Sequence, residues 1–213
     1  MSADYFANHR LKLRFPWRMY HTPIVEAFAE VLQRSGPRVL NVGSGPFFEL
    51  ERLPRAGKAF TACDVDARAI DLARSLHGRA LSGADVVDPE KPLPYADGTF
   101  DVVAAMDVVE HVVPAAAWVA DAWRVVAPGG TLFLTTPNYG SRSLDLIEKT
   151  VLEAVARAQG FSRKTIHPTK LDERSLSALL EPLRRRASTS IRRISHGWVL
   201  TAVVRKEDGD GAG

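Results

Sequence analysis

Short apolar runs alternate along the chain with segments whose apolar residues recur every three to four positions. The runs are rich in β-branched and small aliphatic residues, which is typical of buried parallel strands. They lie at 39–42, 59–63, 100–106 and 131–136, with a weaker run at 79–82. The helical patterns lie at 22–35, 66–77 and 114–127. This alternation predicts an α/β fold, with a parallel sheet that helices cover on both faces.

The predicted helices carry start and stop signals. Thr22 suits a cap and Pro23 a first helical residue, so we expect the first helix to begin there. Asp66 is the expected cap of the second helix, which Gly78 closes. The run Pro128-Gly129-Gly130 is expected to end the third helix and to separate it from the strand that follows.

The pattern changes after residue 138. A longer excursion at 138–170 holds one amphipathic helix, and Asp172 is placed to cap another. The apolar stripe of the first of these helices consists of Leu144, Ile147, Val151, Val155 and Ala158. Two β-like runs, at 188–195 and 198–205, are separated only by His196-Gly197. A parallel crossover needs a dozen residues or more, so these two runs must form an antiparallel hairpin.

The length of 213 residues and a hydrophobic content of 46% suit one domain with a full core. Within it we expect an N-terminal lid or strap with the first helix at 1–35, and a main domain at 36–206. The excursion at 138–170 is interpreted as an insertion on the substrate side. Residues 207–213 are expected to be a disordered tail.

Cysteine content and hydropathy exclude several classes of protein. Cys63 is the only cysteine, so an internal disulfide and a zinc ribbon are excluded. No apolar run approaches the ~18 residues that a membrane-spanning helix needs, and no signal segment opens the chain. We therefore expect a cytoplasmic protein without a membrane partner. The net charge of +3 does not indicate nucleic acid by itself.

The chemistry concentrates where the predicted strands end. The first strand runs into the loop Gly43-Ser44-Gly45-Pro46, in which missing side chains let the backbone approach a ligand closely. Asp64 ends the next strand, about 20 residues after the glycines. At this spacing a carboxylate can accept hydrogen bonds from the two hydroxyls of a ribose. Polar residues end the other strands too, namely Asp85, Asp107 and Asn138. Because the carboxyl ends of parallel strands share one edge of a sheet, we expect one ligand crevice there.

Several of these runs together resemble the class I S-adenosylmethionine-dependent methyltransferases, in their small-molecule branch. The resemblance covers residues 36–206 and is carried by VLNVGSGP at 39–46, GADV at 83–86, FDVV at 100–103, DVVEHV at 107–112, AWRVVAPGGTL at 122–132 and TTPN at 135–138. It implies a Rossmann-like, doubly wound sheet of seven mostly parallel strands that ends in an antiparallel hairpin. The implied cofactor is S-adenosyl-L-methionine, and its product is S-adenosyl-L-homocysteine.

The same resemblance assigns roles to residues of the predicted crevice. Gly43, Ser44, Gly45 and Pro46 are expected along the methionine part of the cofactor. Asp64 is expected on the ribose with Val65 beside the adenine, Asp85 and Val86 at the adenine amino group, and Met106 and Asp107 at the floor of the site. Trp17 and Tyr20 suit a lid over a cationic cofactor through cation–π contact. A terminal strap packed on the core explains them equally well.

Two residues depart from the family pattern. The family usually has an acid where this chain has Asn41, and often a third glycine where it has Phe47. Asn41 can hydrogen-bond the loop but supplies no negative charge. Phe47 is expected to make the turn bulkier, which would lower cofactor affinity or change the shape of the loop.

Glu110 and His111 are the catalytic candidates. A hydroxyl, phenol or ammonium nucleophile must lose a proton, which an imidazole or a carboxylate can accept. Alternatively, Glu110 fixes the loop and His111 is only a polar neighbour. Adjacent residues on a helical turn do not face one ligand, so no metal site is expected. His167 is a further candidate, on the excursion.

We therefore expect a methyltransferase that acts on an oxygen or nitrogen of a small molecule. Alternatives are an RNA methyltransferase or an S-adenosylmethionine-binding protein without activity. The basic cluster that RNA would use consists of Arg184, Arg185, Arg186, Arg192 and Arg193. It also suits a solvated helix end beside a charge-protected sheet edge. A nicotinamide oxidoreductase is disfavoured because its third glycine would fall at Phe48. The sequence indicates no oligomeric state.

Overall fold

A computed structural model of the chain describes residues 18–147 and 168–208. Its helices are α1 (Arg18–Gln33), α2 (Ala67–His77), α3 (Ala115–Arg124), α4 (Arg142–Ile147) and α5 (Glu173–Leu180). Its strands are β1 (Arg38–Val42), β2 (Ala59–Asp64), β3 (Leu81–Val86), β4 (Phe100–Met106), β5 (Val126–Pro137), β6 (Ala187–Ile194) and β7 (Val199–Lys206). Short 3₁₀ turns at Phe48–Arg52, Gly78–Ala80, Val109–His111, Glu181–Arg186 and Ser195–Gly197 connect some of them.

The strands form one sheet of seven in the order β3-β2-β1-β4-β5-β7-β6. β1 to β5 pair in parallel, and β7 runs antiparallel to both of its neighbours, β5 and β6. The order reverses at β1, which pairs with β2 on one side and β4 on the other. A crevice opens at such a reversal, at the carboxyl ends of the strands. The predicted fold class, including the final hairpin, is confirmed.

The two faces of the sheet bury separate apolar clusters. One cluster includes residues of α3 and α5, such as Val119 and Leu176. The other lies beneath α1 and α2, where Phe28 stacks on Phe133 with ring centroids 5.2 Å apart. Helices thus cover both faces, as the alternating pattern predicts.

Three predicted boundaries are wrong. The weaker strand predicted at 79–82 lies at Leu81–Val86. The first helix does not begin at Thr22, because α1 is already helical at Arg18 and contains Pro23. A tertiary contact supports this earlier start, since the Ser195 hydroxyl donates to the Tyr20 carbonyl over 2.7 Å. The run at 128–130 does not lie between helix and strand but inside β5, which begins at Val126. A shift in the β4–β5 register accommodates it.

Other predicted features fall outside the described residues. They include Trp17 with the rest of 1–17, the amphipathic helix beyond Ile147, His167 and the tail from 209. The predicted caps are confirmed: the Asp66 carboxylate accepts from the Arg68 amide, and Asp172 forms a capping box with Ser175. Across 18–147 and 168–208, no helix is long and apolar enough to cross a membrane.

We expect Phe28→Ala to lower the free energy of unfolding by about 3–5 kcal/mol, because it removes a ring from the core and leaves a cavity. Phe28 and its partner Phe133 are both 0% exposed. Urea denaturation followed by circular dichroism measures the change. Met19→Ala, on the same helix at a residue that is 44% exposed, is the matched control and should shift stability by less than about 0.5 kcal/mol. Equal losses in the two variants would contradict this packing.

Candidate active site

The loop after β1 is shaped by two glycines with left-handed backbone. Gly43 has φ +64° and Gly45 has φ +53°. A Cβ atom on Gly43 would lie 2.5 Å from a methyl carbon of Val108, in the loop after β4. Only glycine therefore fits at position 43, on both conformational and steric grounds. The Ser44 amide donates to the Cys63 carbonyl over 3.0 Å, which ties the loop to β2.

Asp64 connects the glycine loop to the start of α2. One of its carboxylate oxygens accepts from the Gly45 amide over 2.8 Å, and the other accepts from the Asp66 amide over 2.9 Å. A carboxylate offers about four acceptor positions. Each oxygen of this half-buried side chain therefore keeps acceptor capacity for a ligand hydroxyl. The structure brings Asp64 and the glycine loop together as the sequence predicts.

Phe47 does not lie in the crevice. Its ring is fully buried in the core beneath α2, where it contacts Phe60 edge-to-face at 5.9 Å. The Phe47 backbone has φ +54°, a conformation that glycine adopts without penalty. The chain thus keeps a glycine-like turn at this position and stabilises it by burying an aromatic ring.

Asn41 is the most unusual polar residue of the site. Its side chain is 1% exposed, and neither its amide oxygen nor its amide nitrogen has a hydrogen-bond partner among the described residues. On β1 it pairs with Ala62 on one side and Ala104 on the other, neither of which offers a polar side chain. A buried amide without partners costs about 1–3 kcal/mol, so this position is suited to a polar group from outside the chain.

The residues predicted at the adenine end gather at the ends of β2 and β3. Val86 is the register partner of Asp64, so the two predicted subsites adjoin each other. Val65 is 58% exposed and Val86 is 49% exposed, which leaves apolar surface on both strand ends. The Asp85 carboxylate accepts from the Tyr95 hydroxyl over 2.9 Å. The sequence did not indicate this contact between Tyr95 and the predicted site residue Asp85.

Met106 is the last residue of β4, and Asp107 follows it. Asp107 has φ +55°, and its carboxylate accepts from the Thr135 hydroxyl over 2.9 Å. The Asp107 amide also donates to the Thr135 carbonyl over 3.1 Å. Thr135 was missed as well, although it belongs to the TTPN run at the end of β5.

Glu110 and His111 differ in accessibility. Both lie in the 3₁₀ turn Val109–His111, but Glu110 is 1% exposed whereas His111 is exposed. The Glu110 carbonyl accepts from the Thr169 amide over 3.1 Å, which attaches the segment before α5 to this turn. Of the two predicted catalytic side chains, only that of His111 is exposed to solvent, where a methyl acceptor could reach it.

The hairpin loop between β6 and β7 lies at the same edge, a position that the sequence did not indicate. Pro137 at the end of β5 pairs with Val199 at the start of β7, so the hairpin loop before Val199 returns to the carboxyl edge. Its Gly197 carbonyl accepts from the Asn138 side chain over 2.8 Å. The Trp198 indole donates to the Ser143 hydroxyl over 2.9 Å. Half-buried Tyr20 joins this region through the Ser195 contact with its carbonyl.

The arginine cluster is partly neutralised. Arg184 pairs with Glu181 at 3.2 Å, and Arg193 pairs with Glu173 at 2.7 Å. Such pairs are typical of a solvated face. Among the described residues, no group of three or more His, Cys, Asp or Glu side chains could hold a metal ion.

Sequence comparisons identify the family of the chain. Residues 40–134 match the family described as "Methyltransferase domain". A ubiquinone biosynthesis O-methyltransferase of Rhizobium johnstonii is 30% identical over 172 residues, which cover 78% of this chain and 68% of the relative. One of Thiobacillus denitrificans is 31% identical over 154 residues, or 69% of this chain and 66% of the relative. The chain therefore spans about two thirds of these relatives.

Solved structures support the same fold. An O-methyltransferase family protein from Burkholderia thailandensis superposes with a TM-score of 0.68 at 18% identity, over 90% of this chain and 57% of the other. A SAM-dependent methyltransferase from Aquifex aeolicus gives 0.60 at 16% identity, over 83% and 88% of the two chains. The chain belongs to the class I S-adenosylmethionine-dependent methyltransferases. It is a methyltransferase enzyme with the Rossmann-like fold of that class.

We expect Cys63 to be unreactive toward a thiol reagent in the folded protein. Its side chain is fully buried, and burial raises the pKa of the thiol to about 12. At pH 8 roughly one thiol in ten thousand would then be the reactive thiolate. Titration with a chromogenic disulfide should detect no fast-reacting thiol in the native state. It should detect one per chain in guanidinium, because the sequence has a single cysteine. Equal rates in both states would contradict the burial of Cys63 beneath the site.

Proposed function

We propose that this enzyme transfers the methyl group of S-adenosylmethionine to a hydroxyl oxygen of a small molecule. The observation that supports the cofactor site best is the Asp64 carboxylate, which accepts from Gly45 and Asp66 at the carboxyl edge of the sheet. The oxygen acceptor is supported by relatives that are named O-methyltransferases of ubiquinone biosynthesis.

The residues present fit the cofactor that the family implies. Gly43 and Gly45 have left-handed backbone and carry no side chain, so a ligand can approach this part of the loop closely. Buried Asn41 offers a side-chain amide that has no hydrogen-bond partner within 18–147 and 168–208. We assign the methionine part of the cofactor to Asn41 and residues 43–46, and its ribose to Asp64. We assign the adenine to Val65, Asp85 and Val86, above a floor of Met106 and Asp107.

S-adenosylmethionine supplies a methyl group that is already activated for transfer by its positively charged sulfur. The protein's main task is therefore to hold the acceptor oxygen in line with the methyl carbon, which lowers the barrier through orientation. Tyr20 and the loop Ser195–Gly197 flank the edge at which the acceptor would enter. We assign to the exposed His111 imidazole the removal of the acceptor's proton. Buried Glu110 is assigned to fixing the turn that carries His111.

The decisive assay incubates the enzyme with S-adenosylmethionine and a panel of small phenols and alcohols, and detects methyl ethers by mass spectrometry. Methyl ether formation supports the proposal. Methylation confined to amines would contradict the oxygen acceptor, and methylation confined to RNA would contradict the small-molecule acceptor. Binding of S-adenosylhomocysteine without turnover on any acceptor would favour a protein without activity. Binding of NAD in its place would overturn the cofactor assignment.

We expect Asp64→Ala to weaken binding of S-adenosylhomocysteine by roughly 100-fold or more. The variant loses charge-assisted hydrogen bonds to the ribose and also the contact that shapes the glycine loop. Isothermal titration calorimetry measures the dissociation constant. A wild-type dissociation constant in this variant would contradict the assignment of the ribose site.

The matched control is Asp66→Asn, two residues along the chain. Asp66 is also a carboxylate in this turn, but it caps α2 and pairs with Arg68 at 2.6 Å. This variant should keep the wild-type affinity for S-adenosylhomocysteine. A thermal melt of each variant separates loss of binding from loss of folding.

For catalysis, we expect His111→Gln to reduce kcat roughly 100-fold, which is typical of the loss of a general base. Affinity for S-adenosylhomocysteine should not change, because His111 is assigned to the acceptor. Val113→Ala, at a neighbouring residue that is 70% exposed, is the control. An unchanged kcat in His111→Gln would assign the proton transfer elsewhere.

A further inference from the structure

We propose that Tyr95 is a positioning residue that orients the Asp85 carboxylate, so that the site selects a purine with a 6-amino group over one with a 6-oxo group. This inference rests on the proposed cofactor site and adds a specificity determinant to it. The chemical group recognised is the exocyclic amine of adenine.

The contact between the two side chains has a defined direction. The Tyr95 hydroxyl lies 2.9 Å from one carboxylate oxygen of Asp85. Burial raises the pKa of Tyr95 well above its usual range, so the phenol keeps its proton and is the donor. The bond occupies one oxygen of Asp85 and leaves the other as an acceptor. An ionised carboxylate has no proton to donate, so it suits an amine and repels a carbonyl oxygen.

The ring of Tyr95 cannot move freely, because it is packed against the core. It is half-buried and contacts Phe100 edge-to-face, with ring centroids 5.0 Å apart at 90°. Phe100 opens β4 and is itself buried. The hydroxyl that meets Asp85 is therefore held by the sheet.

The backbone beside Tyr95 is held by Arg124, at the end of α3. The guanidinium donates to the Tyr95 carbonyl over 2.7 Å and to the Leu93 carbonyl over 2.9 Å. It also pairs with Asp97 and Asp121, each at 2.8 Å. The planar guanidinium of arginine presents five donors in a fixed geometry, so one side chain can bind several acceptors at once. The loop that carries Tyr95 is thus tied to α3 at several points.

The position of Asp85 suits recognition of the base. Asp85 is the register partner of Cys63, and the next residues of the two strands, Val86 and Asp64, also pair, so Asp85 and the ribose-site residue Asp64 lie at the carboxyl ends of adjoining strands. Neighbouring strands lie about 4.8 Å apart, so a base attached to that ribose can extend toward β3. Exposed Val65 and Val86 offer apolar contact for its ring. A hydrogen bond to the edge of the base then decides which purine fits.

Two nucleosides that differ only at position 6 of the purine test this role. Calorimetry compares S-adenosylhomocysteine with S-inosylhomocysteine in the wild type and in Tyr95→Phe. The wild type should prefer the adenosyl ligand by roughly 100-fold or more, since a site built for a donor rejects an acceptor strongly. In Tyr95→Phe, affinity for the adenosyl ligand should fall about tenfold, while affinity for the inosyl ligand should fall less. The preference of the variant for the adenosyl ligand over the inosyl ligand would therefore be smaller than that of the wild type.

Tyr139→Phe is the matched control, because Tyr139 is another half-buried tyrosine but sits after β5. Its ratio of dissociation constants should equal that of the wild type. A double-variant cycle then tests whether Tyr95 acts through Asp85. If it does, Tyr95→Phe with Asp85→Asn should bind S-adenosylhomocysteine no more weakly than Asp85→Asn alone. Additive losses would contradict the inference and indicate a merely structural tyrosine.

The outcomes separate this inference from the proposed function. A wild type that binds neither nucleoside would overturn the cofactor site itself. A wild type that binds both equally would overturn the selection of the 6-amino group at Asp85 but not the cofactor site. A Tyr95→Phe variant with the wild-type ratio would overturn only the role of Tyr95. If Tyr95→Phe fails to fold, Arg124→Lys is the substitute. Lysine lacks the forked guanidinium, so the loop that carries Tyr95 should loosen and the two dissociation constants should become more similar. An unchanged ratio of the two constants in the folded Arg124→Lys variant would contradict the inference.

Discussion

The geometry of the site depends on one carboxylate that joins two segments of the chain. Asp64 accepts from the amide of the glycine loop and from the amide that precedes α2. Hydrogen bonds to a charged acceptor are stronger than neutral ones and fix both donors. The loop after β1 and the turn after β2 are thereby set relative to each other before any ligand binds. Such preorganisation reduces the entropy that a ligand would lose in ordering the loop.

The features that the sequence predicted well are those with local causes. Asp66 and Asp172 cap helices because a short carboxylate reaches amides two or three residues ahead. The final hairpin was predictable because two residues between strands leave no room for a crossover. Asp64 and the glycine loop could be placed together because both end parallel strands. In each case the deciding atoms lie close in sequence or at a shared edge.

The features that were missed or misplaced depend on distant contacts. Tyr95 meets Asp85 across ten residues of irregular chain, and nothing in its local pattern marks it. Helix α1 begins before Pro23 with support from Ser195, 175 residues away from Tyr20. A proline signal at a helix start is a local preference, and a tertiary contact can override it. Thr135 is a similar case, because its hydroxyl donates to Asp107, which follows the neighbouring strand β4.

The two departures from the family pattern have different physical explanations. Phe47 keeps a left-handed backbone because its ring packs against Phe60, and burial of an aromatic side chain outweighs a strain of about 1–3 kcal/mol.

Asn41 is 1% exposed and has Ala62 and Ala104 as its strand partners. An aspartate there would be a buried charge without a compensating cation from those partners, which costs several kcal/mol. The neutral amide is the residue that tolerates this position when no ligand is bound. It also leaves Asp64 as the anionic group at the end of the adjoining strand, so in the proposed site the negative charge next to this position lies at the sugar.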